Sequence, residues 1–200
     1  MPPVKSRREQ YSQATKAALL EAATRRFADH GFAATALEDV AADIGASRGA
    51  VYHHFANKSA LFEAVLDLLE KEMIRQVVEA TASAGSPWQA AMAATEQFLE
   101  CCCDPVYGRV AWQEAPQALG WHRWKEFEAE YAYGLIETLI ASLVEAGELP
   151  AMPTEPMTRI TFHILGAAGI ALAEAPEADK QRVKADYLLT ITHLLGGARL

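Results

Sequence analysis

Apolar residues recur at spacings of three and four along almost the whole chain, which is the period of an amphipathic helix. In the first such segment Leu19, Ala23 and Phe27 share one face, and Gly31 follows where a helix C-cap is expected. This spacing predicts a helix over residues 12–31. Strand-like alternation of apolar and polar residues is hard to find anywhere in the sequence. The pattern therefore predicts an all-α protein.

Two short helices joined by a tight turn are predicted next. The second helix begins after Thr35, a suitable N-cap, and stops at Gly45. Its apolar face is formed by Leu37, Val40, Ala41 and Ile44. Ser47 then caps a third helix over residues 48–55. A turn of about three to four residues that contains Gly, placed between two short helices, is the pattern of a helix-turn-helix.

A long fourth helix is predicted over residues 58–83, where a segment containing Gly and Pro ends it. Its inner stripe consists of Phe62, Val65, Leu69 and Met73. Further helical segments are predicted over 87–104, 105–120, 122–147, 155–175 and 178–196, with prolines at or near the seams. We place a domain boundary within the fourth helix, so that residues 1–60 form one domain and residues 61–200 the other. A helix shared by two domains can transmit movement between them.

The composition is that of a globular protein, because 51% of the 200 residues are hydrophobic and 22% are charged. The N-terminal basic residues are not followed by the apolar stretch of a signal peptide. The longest apolar run, over residues 160–173, is shorter than the roughly 20 residues that span a bilayer. Cys101, Cys102 and Cys103 are consecutive and have no distant partner for a disulfide. We therefore expect a cytoplasmic protein with no membrane segment.

Charge is distributed unevenly along the chain, whose formal net charge is -8. Residues 1–58 hold eight Lys and Arg against six Asp and Glu, whereas the remainder holds ten against twenty. An acidic protein with a mildly basic end suggests two roles in one chain. Lys5, Arg7 and Arg8 could contact a minor groove or could simply be solvated.

The third predicted helix places several polar and basic side chains on one surface. Val51 and Phe55 are four residues apart and should face inward, which leaves Arg48, Tyr52 and His53 facing outward. A short helix of this kind fits a DNA major groove, where Arg pairs with the O6 and N7 atoms of guanine. The alternative is an ordinary α-hairpin with a polar outer face.

The sequence "GFAATALEDVAADIGASRGAVYHHFANKSALFEAV" over residues 31–65 resembles the TetR-type bacterial transcriptional regulators. The resemblance implies that Arg48 reads bases and that phosphates are contacted by Thr35, Tyr52, His53 and Lys58. We include Ser47, the predicted N-cap of the third helix, among the DNA-binding residues. Ala36 stands where the family often has a hydroxyl, and Ala46 where Val is common. Without a hydroxyl at position 36, one possible phosphate contact is lost.

The resemblance also implies a homodimer whose last two helices form a four-helix interface with those of the partner. Two features of the sequence agree with this. The run "LGAAGIALA" contains Gly166 and Gly169, which allow helices to approach closely. Leu188, Ile191 and Leu195 form an apolar stripe on the last helix. We predict that these five residues form the dimer interface.

All four tryptophans lie after the helix-turn-helix segment, and nearby Pro and Gly breaks could open a cavity among them. We predict a ligand pocket with Arg109 and Glu114 as polar anchors. The other predicted lining residues are Phe98, Cys102, Trp112, Trp124, Tyr131 and Phe162. The alternative is that these aromatic residues only fill a core. The cysteine triplet could likewise suggest metal or thiol sensing, but successive helical residues point about 100° apart, which favours buried packing.

These observations predict a DNA-binding transcriptional regulator, a repressor that binds a palindromic double-stranded DNA operator as a homodimer. A small-molecule effector, not identified by the sequence, would release it. We predict no metal and no cofactor. A second class of function is an enzyme, but no phosphate loop, nucleophile elbow or converging set of metal ligands is found. The third is an architectural or partner-binding protein, which would bind DNA weakly and without preference.

Overall fold

The computed structural model describes residues 7–197, except for the side chain of Arg8. Of the three N-terminal basic residues, Lys5 and the side chain of Arg8 lie outside the described part of the chain. The described residues form helices joined by short turns, which confirms the all-α prediction. The helices are α1 (Arg7–Ala34), α2 (Leu37–Asp43), α3 (Arg48–His54), α4 (Lys58–Thr81), α5 (Pro87–Cys103), α6 (Pro105–Tyr107), α7 (Ala115–Leu119), α8 (Trp121–Glu145), α9 (Thr154–Glu174) and α10 (Lys180–Gly196).

The chain divides into two compact units, residues 1–68 and residues 69–200, and α4 belongs to both. The first unit is built around Phe27 and Phe62, whose rings meet edge to face with centroids 5.0 Å apart. Val51 and Phe55 are buried in this unit, as predicted. α1 is interrupted at Gly31, where φ is 80° and ψ is 169°, a conformation that residues with a Cβ rarely adopt.

The start of α2 differs from the prediction. Its N-cap is Ala36, which has no side-chain acceptor for the first amides of the helix. Thr35 is instead 2% exposed, and its hydroxyl donates to the Gly31 carbonyl at 2.8 Å. The prediction that Thr35 caps α2 is therefore wrong, because its side chain turns back to the interrupted end of α1.

In the second unit α9 packs against both α5 and α8, and α10 packs against α5 and α9. The segment predicted as one helix over 105–120 is α6, a π-helical segment (Gly108–Glu114) and α7. Gly108 lies so close to the Cys102 carbonyl oxygen that an added Cβ would be 2.8 Å from it. None of the described helices is both long enough and apolar enough to cross a membrane.

Candidate functional site

α3 presents its polar side chains outward at the end of a tight turn from α2. Ser47 is its N-cap, as predicted, and the Ser47 hydroxyl accepts a hydrogen bond from the Ala50 amide at 3.3 Å. Arg48, Tyr52 and His53 are all exposed. Val51, on the opposite face of α3, is buried in the core of the first unit, so the helix presents these three polar side chains on its outer face.

Arg48 is exposed but already has partners within the first unit. Its guanidinium lies 5.4 Å from the centre of the Tyr52 ring, and its Nε is 3.0 Å from a Glu38 carboxylate oxygen. The hydrogen bond with Tyr52 and then the charge of Glu38 raise the pKa of Arg48. The Arg48 side chain is 70% exposed, so its ion pair with Glu38 is a weak surface contact.

Thr35 and Lys58 make intrachain hydrogen bonds that the sequence did not predict. The Lys58 ammonium donates to the carbonyls of Phe32 at 2.8 Å and Ala33 at 3.2 Å, and lies 4.5 Å over the Phe32 ring. Because Thr35 is buried, its hydroxyl is not available to a phosphate in this conformation. Lys58 is partly exposed, so a phosphate contact would require it to leave or share these carbonyls.

A cavity of about 90 Å³ lies within the second unit and is almost entirely apolar. Phe98, Trp112 and Phe162 line it. Five polar residues that the sequence did not predict also line it, namely Glu70, Thr95, Tyr107, Glu128 and Thr161. One signal was available for Glu70, which occupies an inward position of α4 between Leu66 and Met73. A carboxyl group within an apolar stripe is unusual enough to indicate a buried site.

The other predicted pocket residues do not line this cavity, and each has a packing reason. Cys102 and Trp124 are completely buried in the core. Arg109 and Glu114 form an ion pair with each other at 2.8 Å, and the Tyr131 ring stacks near Phe127 with centroids 5.3 Å apart. The prediction that these five residues line the cavity is corrected accordingly.

Burial changes the ionisation of both carboxyl groups in the cavity. Burial raises the pKa of Glu70 to about 8, with a further contribution from Glu128, although the hydrogen bond donated by Tyr107 opposes the shift. Burial raises the pKa of Glu128 to about 7, and Lys125, 2.8 Å away, opposes that shift. Near neutral pH the cavity therefore holds two carboxyl groups close to their titration points.

Three residues predicted to form the dimer interface are buried within the single chain. An added Cβ on Gly169 would be 2.6 Å from the Trp112 ring, and Gly166 is buried close to the Lys125 ammonium. Ile191 is 1% exposed. Leu188 and Leu195 are half-buried, and Leu195 lines the cavity. The small residues of α9 thus make room for the chain's own side chains, which corrects their predicted role.

Other apolar side chains face outward on the last two helices. Ile160 on α9 is 56% exposed, and Leu189 and Leu194 on α10 are 60% and 57% exposed. His163 is also exposed on α9. An exposed apolar surface of this kind on two neighbouring helices is suited to contact with another protein.

The cysteine triplet is buried, and burial is the largest cause of the raised pKa of each thiol. Buried cysteines of raised pKa pack as small apolar residues and react slowly. Within the described residues, no group of three or more His, Cys, Asp or Glu side chains is placed to hold a metal ion.

Comparison with known proteins connects both units to one family. Residues 88–198 match the family model described as "Tetracyclin repressor-like, C-terminal domain", and residues 19–65 match the one described as "Bacterial regulatory proteins, tetR family". The chain is 22% identical over 156 residues to the transposon Tn10 TetC protein of Escherichia coli, an alignment that covers 78% of this chain and 79% of TetC.

A second sequence relative and a solved structure point to the same family. The regulator TtgR of Pseudomonas putida is 45% identical over 65 residues, which is 32% of this chain and 31% of TtgR. The fold is similar to that of a TetR-family regulator from Pectobacterium atrosepticum, with a TM-score of 0.83, 24% identity and coverage of 98% of both chains. The chain therefore belongs to the TetR family of DNA-binding helix-turn-helix transcriptional regulators, as the pattern over residues 31–65 indicated.

Proposed function

We propose that this protein is a repressor that binds a palindromic operator as a homodimer and leaves it when a small molecule occupies the cavity of the second unit. The observation that supports this best is the exposed polar face of α3, held by its buried opposite face. In this proposal residues 1–60 bind DNA, and residues 61–200 bind the effector and the partner. The protein acts by binding and not by catalysis, as its regulator relatives do.

Arg48 is the side chain that we assign to base recognition. It lies at the N-terminal end of α3, the part of a recognition helix that enters the major groove. Tyr52 and His53 follow on the exposed face, where their side chains can donate to phosphates and set the register. The Ser47 hydroxyl lies beside them, and Lys58 adds a positive charge at the start of α4.

The effector acts through α4 in this proposal. Glu70 and Met73 of α4 line the cavity, and the same helix begins at Lys58, which donates hydrogen bonds to the end of α1. A ligand that moves the cavity end of this helix changes the separation of the two recognition helices in a dimer. Half-site spacing is set by the duplex, so a coupling of about 1–3 kcal/mol is enough to lower operator affinity.

Dimerisation is assigned to the outward faces of α9 and α10. Ile160, Leu189 and Leu194 supply exposed apolar side chains on these helices. A second copy of the chain would bury them, and a two-fold dimer would present two copies of α3 to the two halves of a palindrome.

The test is a titration of the protein against DNA from immediately upstream of its own gene, at fixed salt and with unrelated competitor DNA. Arg48→Ala is expected to weaken specific binding by about 1–3 kcal/mol and to reduce the preference over competitor DNA. Arg25→Ala, an exposed arginine on α1, is the matched control and should keep that preference. Should Arg48→Ala leave the preference unchanged, base recognition by this helix is wrong.

If the protein shows no preference for this fragment, a selection from random DNA sequences tests whether it recognises another sequence. Enrichment of a palindrome would show that the operator lies elsewhere and would support the proposal. A selection that enriches no sequence would instead favour an architectural protein over a regulator.

A further inference from the structure

The cavity of the second unit combines an apolar lining with acidic side chains and no basic ones. Aromatic and aliphatic residues provide almost all of its surface, and Glu70 and Glu128 provide its ionisable acids apart from the Tyr107 phenol. Among the described residues that line it there is no Lys, Arg or His. An apolar site with acidic groups and without basic ones favours a positively charged ligand over an anionic one.

Glu128 lines this cavity and has an unused acceptor. The residue is 6% exposed, and one carboxylate oxygen, Oε2, accepts from the Lys125 ammonium at 2.8 Å. The other oxygen, Oε1, is buried and has no hydrogen-bond partner among the described residues. A buried acceptor without a donor is costly, and an ammonium group is the strongest donor that a small ligand can offer to a carboxylate.

Lys125 does not serve as a ligand group itself, because aromatic rings enclose it. Its ammonium lies 4.3 Å from the centre of the Trp124 ring and 5.4 Å from the centres of the Trp121 and Phe162 rings. These contacts hold the cation beside Glu128 but outside the cavity lining. An anionic ligand would therefore meet two acidic groups and have no basic side chain facing it.

We propose that this cavity binds an amphiphilic molecule carrying an ammonium group, with the ammonium beside the carboxyl groups of Glu70 and Glu128 and the apolar body against the aromatic lining. This inference rests on the proposed function, since it names the chemical class of the effector. Trp112 and Thr161 also line the cavity, and their buried donors Trp112 Nε1 and Thr161 Oγ1 lack partners among the described residues.

The ionisation of the two acids gives the proposal a pH signature. The pKa of Glu128 is raised to about 7 and that of Glu70 to about 8, so each loses its proton as pH rises through that range. The groups that face them are Lys125 beside Glu128, and Tyr107 and Cys102 near Glu70. An ammonium ligand stabilises the ionised carboxylates, so its affinity should rise between about pH 6 and pH 8.

The experiment compares three probes that share a 3-phenylpropyl group: 3-phenylpropylamine, butylbenzene and 4-phenylbutyrate, which end in ammonium, methyl and carboxylate. Their dissociation constants for the full-length protein are measured by titration calorimetry and by tryptophan fluorescence. The amine is expected to bind about tenfold more tightly than either counterpart at pH 8, and to lose much of this advantage at about pH 6. Tighter binding of the hydrocarbon or the carboxylate would overturn the proposal.

Variants locate the effect in the cavity. Glu128→Gln and Glu70→Gln keep the size of the side chain and should weaken binding of the amine about tenfold while leaving butylbenzene unchanged. Glu137→Gln, an exposed position on the same helix as Glu128, is the control and should change neither. Equal effects on amine and hydrocarbon would show that the acids only support the fold.

Operator binding is measured in parallel so that the two proposals fail separately. Specific operator binding without an amine preference overturns this inference and leaves the proposed function intact. An amine preference in a protein that binds no specific DNA would instead support the cation site and overturn the proposed function.

Discussion

At the scale of single residues, Gly169 shows how one missing side chain positions another. The Trp112 ring lies against the Gly169 Cα, with three ring atoms within 2.7 Å of where a Cβ would stand. Trp112 in turn lines the cavity and meets the Trp124 ring edge to face at 5.7 Å. A glycine that the sequence suggests for contact with a partner helix therefore shapes the cavity wall.

Gly169→Ala is expected to lower the free energy of unfolding by about 1–3 kcal/mol, because the Trp112 ring must move away from the new methyl group. Urea denaturation measures the loss. Gly134→Ala is the matched control, since its added Cβ would meet no atom within 4 Å beyond the adjacent backbone of its own helix. Alanine favours helix over glycine, so this control should gain up to about 1 kcal/mol. Equal stability of the two variants would contradict the packing of Trp112 on α9.

Glu70 makes stability depend on pH in a specific direction. Its pKa is raised from the usual 4.5 to about 8 in the folded protein, so the unfolded chain loses this proton first. The contribution of Glu70 to the free energy of unfolding is therefore full below about pH 4.5 and declines as pH rises to about 8. Unfolding curves at several pH values should show a decline on the order of a few kcal/mol in the wild type that Glu70→Gln removes. Parallel curves for the two proteins would show that Glu70 does not titrate this way.

At the scale of secondary-structure elements, the segment after α5 determines where Trp112 lies. Asp104 Oδ1 accepts hydrogen bonds from the Val106 amide at 2.9 Å and the Tyr107 amide at 2.8 Å, which caps α6. The π-helical segment follows directly, and segments of this kind are often found at functional sites. The Tyr107 and Trp112 side chains from these two elements line the cavity.

Asp104→Ala should lower the free energy of unfolding by about 1 kcal/mol, because two amides lose their acceptor. Asp104→Asn keeps an acceptor oxygen and should retain most of the stability. Chemical denaturation of the three proteins distinguishes these outcomes. A loss in the Asn variant as large as that in the Ala variant would assign the effect to the charge of Asp104 and not to capping.

At the scale of the whole molecule, the proposed dimer depends on apolar side chains that the single chain leaves exposed. Leu189 and Leu194 lie outward on α10, whereas Ile191 between them is buried within the chain. The interface that we propose therefore uses the opposite face of α10 from the stripe that the sequence suggested.

The double variant Leu189→Glu with Leu194→Glu is expected to be a monomer, because dimerisation would bury the new carboxylates of both chains in the interface. Light scattering after size-exclusion chromatography measures the mass, and operator affinity should fall in parallel. Val78→Glu, an exposed apolar position on α4, should leave the mass unchanged. A double variant that still elutes with the mass of two chains would place the interface elsewhere.

The sequence alone determined the helix-turn-helix, because its signals are local. Helical spacing buries Val51 and Phe55, and the same spacing exposes Arg48, Tyr52 and His53. Ser47 caps the helix that follows it, as expected from its position. Each of these features depends on residues only a few positions apart, so a short stretch of chain was enough to predict it.

The cavity was decided only by the tertiary structure, because its residues come from distant parts of the chain. Glu70 and Glu128 lie on α4 and α8, and no spacing in the sequence relates them. Small residues such as Gly166 and Gly169 permit close packing, but the sequence does not say whether a partner helix or the chain's own Trp112 occupies the space. Helical periodicity assigns a residue to a face, whereas the packing of helices decides what that face meets.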